Sequence, residues 1–158
     1  MAIAEYLYER HPKIWPESRK LRARGRSIAG EICSGLSSLR NAMPVNIRGR
    51  NRTAEVTPQV ERDLDRVREI WTQCLDAFGG PWLLGEFSAA DIMYAPVATR
   101  FQIYGVAVGG AARDFHDRIL GHPLVTEWLT AAATETTVID RFELPKAKGP
   151  HEPHLATD

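Results

Sequence analysis

The chain has 158 residues, the length of a single domain, and its 44% hydrophobic content is enough to bury a core. Its 20 basic and 20 acidic residues cancel and the isoelectric point is near 7.0, so nothing global recommends a nucleic-acid partner or a membrane surface. No apolar run approaches the roughly 18 residues of a membrane span. The opening MAIAEYLYER has no basic leader with an apolar core behind it. Cys33 and Cys74 are too few for a disulfide framework, and a reducing cytoplasm is the expected location.

Residues 2–10 read as a short helix with Ile3, Tyr6 and Leu7 on one face, and residues 11–16 as a Pro-bounded connector. Leu21, Ile28, Ile32, Leu36, Leu39 and Met43 recur at helical spacing and predict one long helix from about Glu17 to Met43, which Pro44 stops. The loop VNIRGRNRTAEVT is polar and basic. A second long helix is predicted from Pro58 to Phe78, where Val60, Leu64, Val67, Trp71, Cys74 and Phe78 form a narrow apolar seam that Gly79-Gly80-Pro81 ends. PWLLGEF is a short connector. A third main helix runs from the Ser88 segment to about Tyr104, with Pro96 expected to kink it or remove a hydrogen bond. GVAVGG is a flexible link, and AARDFHDRIL a short helix ended by Gly121. Pro123 to about Thr136 reads as the last helix, with Leu124, Trp128 and Leu129 inward. Residues 144–158 have no periodicity and are expected to hold no fixed structure. With no strand alternation of useful length, the fold class is all-α, a helical bundle over residues 17–143.

One segment, FSAADIMYAP, places a single charge among apolar residues. Ser88-x-x-Asp91 has capping-box spacing: Ser88 is expected to accept from the N–H of Asp91, and the Asp91 carboxylate to reach back to the N–H of Ser88. A carboxylate there also meets the positive end of the helix dipole. Phe87 and Ile92 have the spacing of a hydrophobic staple. The rival role for Asp91 is a catalytic acid. No His, Lys or second carboxylate adjoins it in sequence, which favours capping, although folding can bring partners from elsewhere.

These residues carry a family likeness. GGPWLLGEFSAADIMYAPVATRF resembles the connector and central helix of the C-terminal helical domain of glutathione S-transferases, where a buried capping box begins that helix. RSIAGEICSGLSSLRNAMPVNIR is similar to the first long helix of that domain in bacterial members, and HPLVTEWLTAAATE to its last helix. The likeness spans roughly residues 1–143. It implies that residues 1–10 correspond to the last helix of the family's N-terminal thioredoxin-like domain and residues 11–16 to the interdomain linker. In complete members a Glu/Asp-Ser pair directly before that helix binds the γ-glutamyl end of glutathione. The group that stabilises the glutathione thiolate also lies upstream, so by this likeness the chain as it stands holds no glutathione site and no catalytic residue, and is expected to be inactive alone. Three explanations of the start follow: Met1 is an internal methionine of a longer protein, the gene is a truncated relic, or a partner chain supplies the other half. The missing Ser, Thr, Asp or Asn cap before residue 2 favours the first.

The family's electrophile pocket lies between its two domains and is lined partly by the first long helix. On this chain that implies Arg26, Gly30, Cys33, Ser34 and Ser37 as substrate-binding residues, a small polar stripe whose rival reading is close helix packing. Bacterial relatives often read M-H-S-G-F where this chain has I-C-S-G-L over Ile32–Leu36, which leaves an inherited role for Cys33 in doubt. Cys33 is expected to sit mid-helix, without the cation or helix N-terminus that activates a thiol, and too far along the helix pair to bridge Cys74. His151 and His154 are two possible metal ligands in a Pro-rich tail, a poor site, and no metal is expected. The arginine-rich runs Arg19–Arg26 and Arg48–Arg52 lack interleaved aromatic residues, and Glu61, Asp63, Asp65 and Glu69 offer them opposite charge, so pairing within the molecule or a dimer is expected instead of nucleic-acid binding.

The resemblance therefore implies a glutathione S-transferase-like protein, with glutathione as co-substrate and a small electrophile as substrate, this chain supplying pocket wall and the surface of a homodimer. The alternative is a non-catalytic interaction module, as family-like helical domains also serve in assemblies.

Overall fold

The computed structural model describes residues 1–145; His151 and His154 lie outside the described residues. Among the described residues seven α-helices follow one another: α1 (Ala2–Arg10), α2 (Arg19–Ser34), α3 (Ser37–Ala42), α4 (Pro58–Phe78), α5 (Ala89–Tyr104), α6 (Gly110–Leu120) and α7 (Pro123–Thr134). Single 3-10 turns occupy Pro12–Ile14 and Asp140–Phe142. Among the described residues there is no strand, only isolated bridges between Trp82 and Gly85 and between Leu84 and Glu86 in the connector before α5. The fold is all-α.

Most of the predicted seam of α4 faces inward: Val60, Leu64, Val67, Trp71 and Cys74 are buried, joined by Ile70 and Leu75, while Phe78 at its end is half-buried. Pro58 sits in the first turn, where a missing N–H costs nothing, and Thr57 caps it by accepting from Val60 N. Gly79 ends it at φ 71, a left-handed turn that a glycine adopts without strain. α5 is the central element. It is apolar on nearly every side, and Ala90, Tyr94, Val97, Ala98, Phe101 and Ile103 are all buried. It runs on through Pro96 as one helix. Trp71 brings α4, α5 and α6 together, with ring centroids 6.0 Å from Tyr94, 5.3 Å from Phe101 and 5.1 Å from Phe115. Its indole N–H is buried without an acceptor, a cost of about 1–3 kcal/mol that the aromatic packing has to offset.

The long first helix predicted from Glu17 to Met43 is two helices. The break falls at Gly35 and Leu36, the latter left-handed at φ 52. Leu36, Leu39 and Met43 are nevertheless buried, so the apolar spacing continues across the break and hides it from a periodicity argument. α4 holds both pieces. Arg66 grips the Glu31 carboxylate of α2 with Nε at 2.6 Å and Nη2 at 3.0 Å, and Asp63 Oδ2 accepts from Leu39 N at 2.9 Å in the first turn of α3. The acids of α4 are thus used differently from expectation. Glu61 and Asp65 pair with Arg68, and Glu69 with Arg66. The arginines of α2 and the 44–57 loop bind other groups: Arg22 donates to the Pro16 and Glu17 carbonyls, Arg26 to Glu5, and Arg48 and Arg50 to carbonyls.

A further correction concerns two apolar residues of α7. Leu124 and Trp128, predicted inward, are 57% and 39% exposed, and Val125 is the one buried residue of α7. Trp15 is 1% exposed. It lies over Gly25 of α2, where an added Cβ would stand 2.8 Å from Leu84 Cδ1 and 3.2 Å from Trp15 Cζ3. A glycine in mid-helix ordinarily weakens the helix; here its missing side chain admits the tryptophan and the connector leucine. Gly25→Ala is therefore expected to lower stability by about 1–2 kcal/mol through overpacking. Gly30→Ala, with nothing within 4 Å of its Cβ, is expected to raise it by about 0.5–1 kcal/mol. Chemical denaturation of both variants checks this, and equal stabilisation by the two would contradict the packing at Gly25.

Candidate functional site

The capping box is complete. Asp91 Oδ2 accepts from Ser88 N at 2.8 Å and from Ser88 Oγ at 3.2 Å, while Ser88 Oγ accepts from Ala90 N at 3.3 Å. The carboxylate does more than cap. Asp91 Oδ1 accepts from Leu83 N at 2.9 Å and so fastens the PWLLGEF connector to α5. Asp91 is fully buried, and burial pushes its carboxyl up to about 6 against the opposing pull of the Leu83 and Ser88 donors. Among the described residues its hydrogen-bond partners are Leu83 and Ser88, the arrangement of a cap and fastener. Phe87 and Ile92 line the same groove, and the Phe87 ring stacks on His122, the cap of α7, at 4.0 Å between centroids.

The proposed substrate stripe is only partly gathered. Arg26 is committed to α1: Nε and Nη2 hold Glu5 at 3.0 and 2.6 Å, and its guanidinium lies 5.0 Å from the Tyr8 ring centroid. The hydrogen bond from Arg26 in turn lowers the Glu5 carboxyl. Gly30 faces open space, so close helix packing does not explain it. Ser34 Oγ donates to the Gly30 carbonyl at 3.0 Å. Cys33 is exposed in the last turn of α2 instead of mid-helix, and the amino group of Met1 lies 3.8 Å from its Sγ. Ser37 is exposed across the Gly35–Leu36 break, at the first position of α3. Gly30, Cys33 and Ser34 thus share the end of α2 beside the start of α1, Ser37 follows the break, and Arg26 belongs to the α1–α2 contact.

A second feature had little signal in the sequence. An apolar groove of about 780 Å³ runs between α1, the start of α5 and the start of α7, lined by Ile3, Leu7, Ile14, Ile92, Met93 and Leu124 among others. Ile3 and Leu7 are one helical turn apart, which marks a face of α1; that Ile92, Met93 and Leu124 would join them depends on how the helices cross. A smaller, more polar cavity of about 520 Å³ adjoins it, lined by Trp15, Ser18, Leu84, Glu86 and Phe87 among others. Cys74 is buried, with Arg24 Nη2 3.8 Å from its Sγ, and burial pushes its thiol up, away from nucleophilic use. Both cysteines are free. Among the described residues no group of three or more His, Cys, Asp or Glu could hold a metal ion, and no helix is long and apolar enough to cross a membrane.

Asp91→Ala leaves the N–H groups of Leu83 and Ser88 buried without acceptors, and a loss of about 2–3 kcal/mol is expected. The pH dependence has a definite sign. A carboxyl raised by folding adds stability that is fully present below its unfolded value near 3.8 and is lost as pH rises through about 6. The gap between parent and Asp91→Ala is therefore expected to be larger at pH 5 than at pH 7.5 in urea titrations. A gap that shrinks on acidification would mean that the donors around the carboxylate outweigh its burial.

No curated protein matches this chain. A family model does: the one described as glutathione S-transferase, C-terminal domain, matches residues 52–131, from the loop before α4 into the last turns of α7 and including the capped start of α5. With an all-helical bundle organised around that capped central helix, the chain belongs to the glutathione S-transferase C-terminal domain family.

Proposed function

We propose that this chain is the helical half of a glutathione-dependent enzyme acting on small electrophiles, and that Gly30, Cys33, Ser34 and Ser37 form part of the electrophile pocket. The observation that carries the reading is the 3.8 Å approach of the Met1 backbone nitrogen, directly before α1, to Cys33 Sγ. The family resemblance puts the acid–serine pair that binds the γ-glutamyl group directly before α1. In this reading that pair lies near the exposed end of α2, and the open space at Gly30 supports room there for a substrate.

In this reading glutathione supplies the thiolate that displaces a leaving group from, or reduces, the electrophile. The thiolate-stabilising group belongs to a thioredoxin-like unit packed on the groove between α1, α5 and α7. The residues of this chain orient the electrophile and exclude water from it. The Arg26–Glu5 pair keeps α1 against α2, so that the two ends stay adjacent. A homodimer in the cytoplasm is part of the same reading.

Residues 1–158 alone are expected to show no retention on immobilised glutathione and no conjugation of an aryl halide. Joined after a thioredoxin-like unit that ends in an acid–serine pair, they are expected to turn over. In that assembly Gly30→Trp is expected to lower kcat/KM for the aryl halide about tenfold or more with little change in the KM for glutathione. Turnover by the chain alone, or an indifferent Gly30→Trp, would contradict the assignment.

The apolar groove also favours a second reading, a non-catalytic assembly module that docks a different partner. An anilinonaphthalene dye is expected to bind the groove and to be lost in Ile92→Asp. If the groove seats the thioredoxin-like unit, joining that unit upstream abolishes dye binding; dye binding that persists in the joined, folded protein supports the module.

A further inference from the structure

The segment after α7 is attached to the rest of the chain in an unusual way. From residue 135 to 145 every residue is exposed except Phe142 and Leu144, so almost no apolar burial secures it. Polar tethers from the 44–57 loop hold it instead. Arg48 donates to the Glu135 and Thr137 carbonyls at 2.6 and 3.1 Å. Asn46 Nδ2 and Arg52 Nη2 share the Glu143 carboxylate, both at 2.7 Å. Arg52 also donates to the Leu144 carbonyl, and Thr53 N to the Pro145 carbonyl at 2.9 Å. The loop itself is anchored elsewhere, on α5: Arg52 N donates to the Ile103 carbonyl at 3.0 Å, Tyr104 OH to the Pro44 carbonyl at 2.9 Å, and Arg100 Nε to the Met43 carbonyl at 2.7 Å. Between loop and segment lies a small cavity of about 180 Å³, lined by Val45, Ile47, Ala132, Ile139 and Phe142 among others.

We infer that residues 135–145 are a salt-releasable strap that closes this cavity, with the Arg52–Glu143 pair as its latch and the 44–57 loop as its fixed seat. Two physical facts carry this. Local opening is easiest where few apolar contacts and mostly exposed hydrogen bonds hold a segment. The Glu143 side chain, 34% exposed, is the end of the latch that added ions reach, while Arg52, 15% exposed, stays packed on the loop. The loop keeps its bonds to buried α5 when the strap leaves, so opening need not unfold the bundle.

Two neighbouring amides separate the strap from its seat. The Thr53 amide is bonded to the strap and the Arg52 amide to α5. In amide hydrogen exchange of the whole chain, read by NMR, Thr53 is expected to exchange faster than Arg52. Raising salt from about 0.05 to 0.5 M is expected to speed Thr53 roughly two- to fivefold and leave Arg52 unchanged. Glu143→Gln, an exposed substitution that keeps the fold, is expected to do the same at low salt. Equal exchange of the two amides, or a Thr53 rate indifferent to both salt and Glu143→Gln, would overturn the strap.

Discussion

A buried carboxylate organises this molecule. Asp91 accepts from Leu83 N with one oxygen and from Ser88 N and Oγ with the other, so a single side chain ends the connector, starts the central helix and fixes the angle between them. The Trp71 cluster forms around the helix so placed, because Tyr94 and Phe101 reach Trp71 from it. Leu84, on the connector that Asp91 fastens, meets Gly25 of α2 beside Trp15. Phe87, on the same connector, stacks on the His122 cap of α7. Burial works against the charge while the donors work for it, and the carboxyl rises to about 6 as the outcome of that opposition.

Local chemistry made part of this structure legible in the sequence. The seam of α4, the proline at its start, the glycine after its end and the Ser88–Asp91 box are short-range patterns with one physical solution each, and all four are where the spacing puts them. What was not legible depends on long-range packing. The Gly35–Leu36 break keeps the apolar residues in phase, so nothing in the spacing announces it. The exposure of Leu124 and Trp128 follows from the way α7 meets its neighbours through little more than Val125. The fate of the arginines was equally hidden, since carbonyl groups that accept from Arg22, Arg48 and Arg50 have no sequence signature. For the site, the family likeness named Gly30, Cys33 and Ser34, but only the fold shows that the start of α1 comes to Cys33 and that Arg26 is occupied by Glu5.

In the proposed reading, the residues that fold the chain and those that would meet substrate are separate. The one buried charge on the central helix belongs to folding, and the exposed small residues at the end of α2 carry the proposed contact with substrate. The apolar groove adjoins the capped start of α5, since Phe87, Ser88 and Ile92 line it. Its walls come from three helices, and α1, which supplies one wall, has no buried residue of its own. Such a helix gains little from its own packing and is held mainly through the Arg26–Glu5 pair, the Tyr8 ring over Arg22 and Arg26, and the turn that leads to buried Trp15.

The account rests on Asp91 acting as a fastener of two segments. Amide exchange at Leu83 and Ser88, measured against the core of α5, reads this directly. The account predicts that both amides are protected to the same level as Phe101 and Ile103, because they open only when the central helix does. Exchange of Leu83 at the rate of an exposed connector, with the α5 core still protected, would show that the carboxylate caps its own helix and holds nothing else.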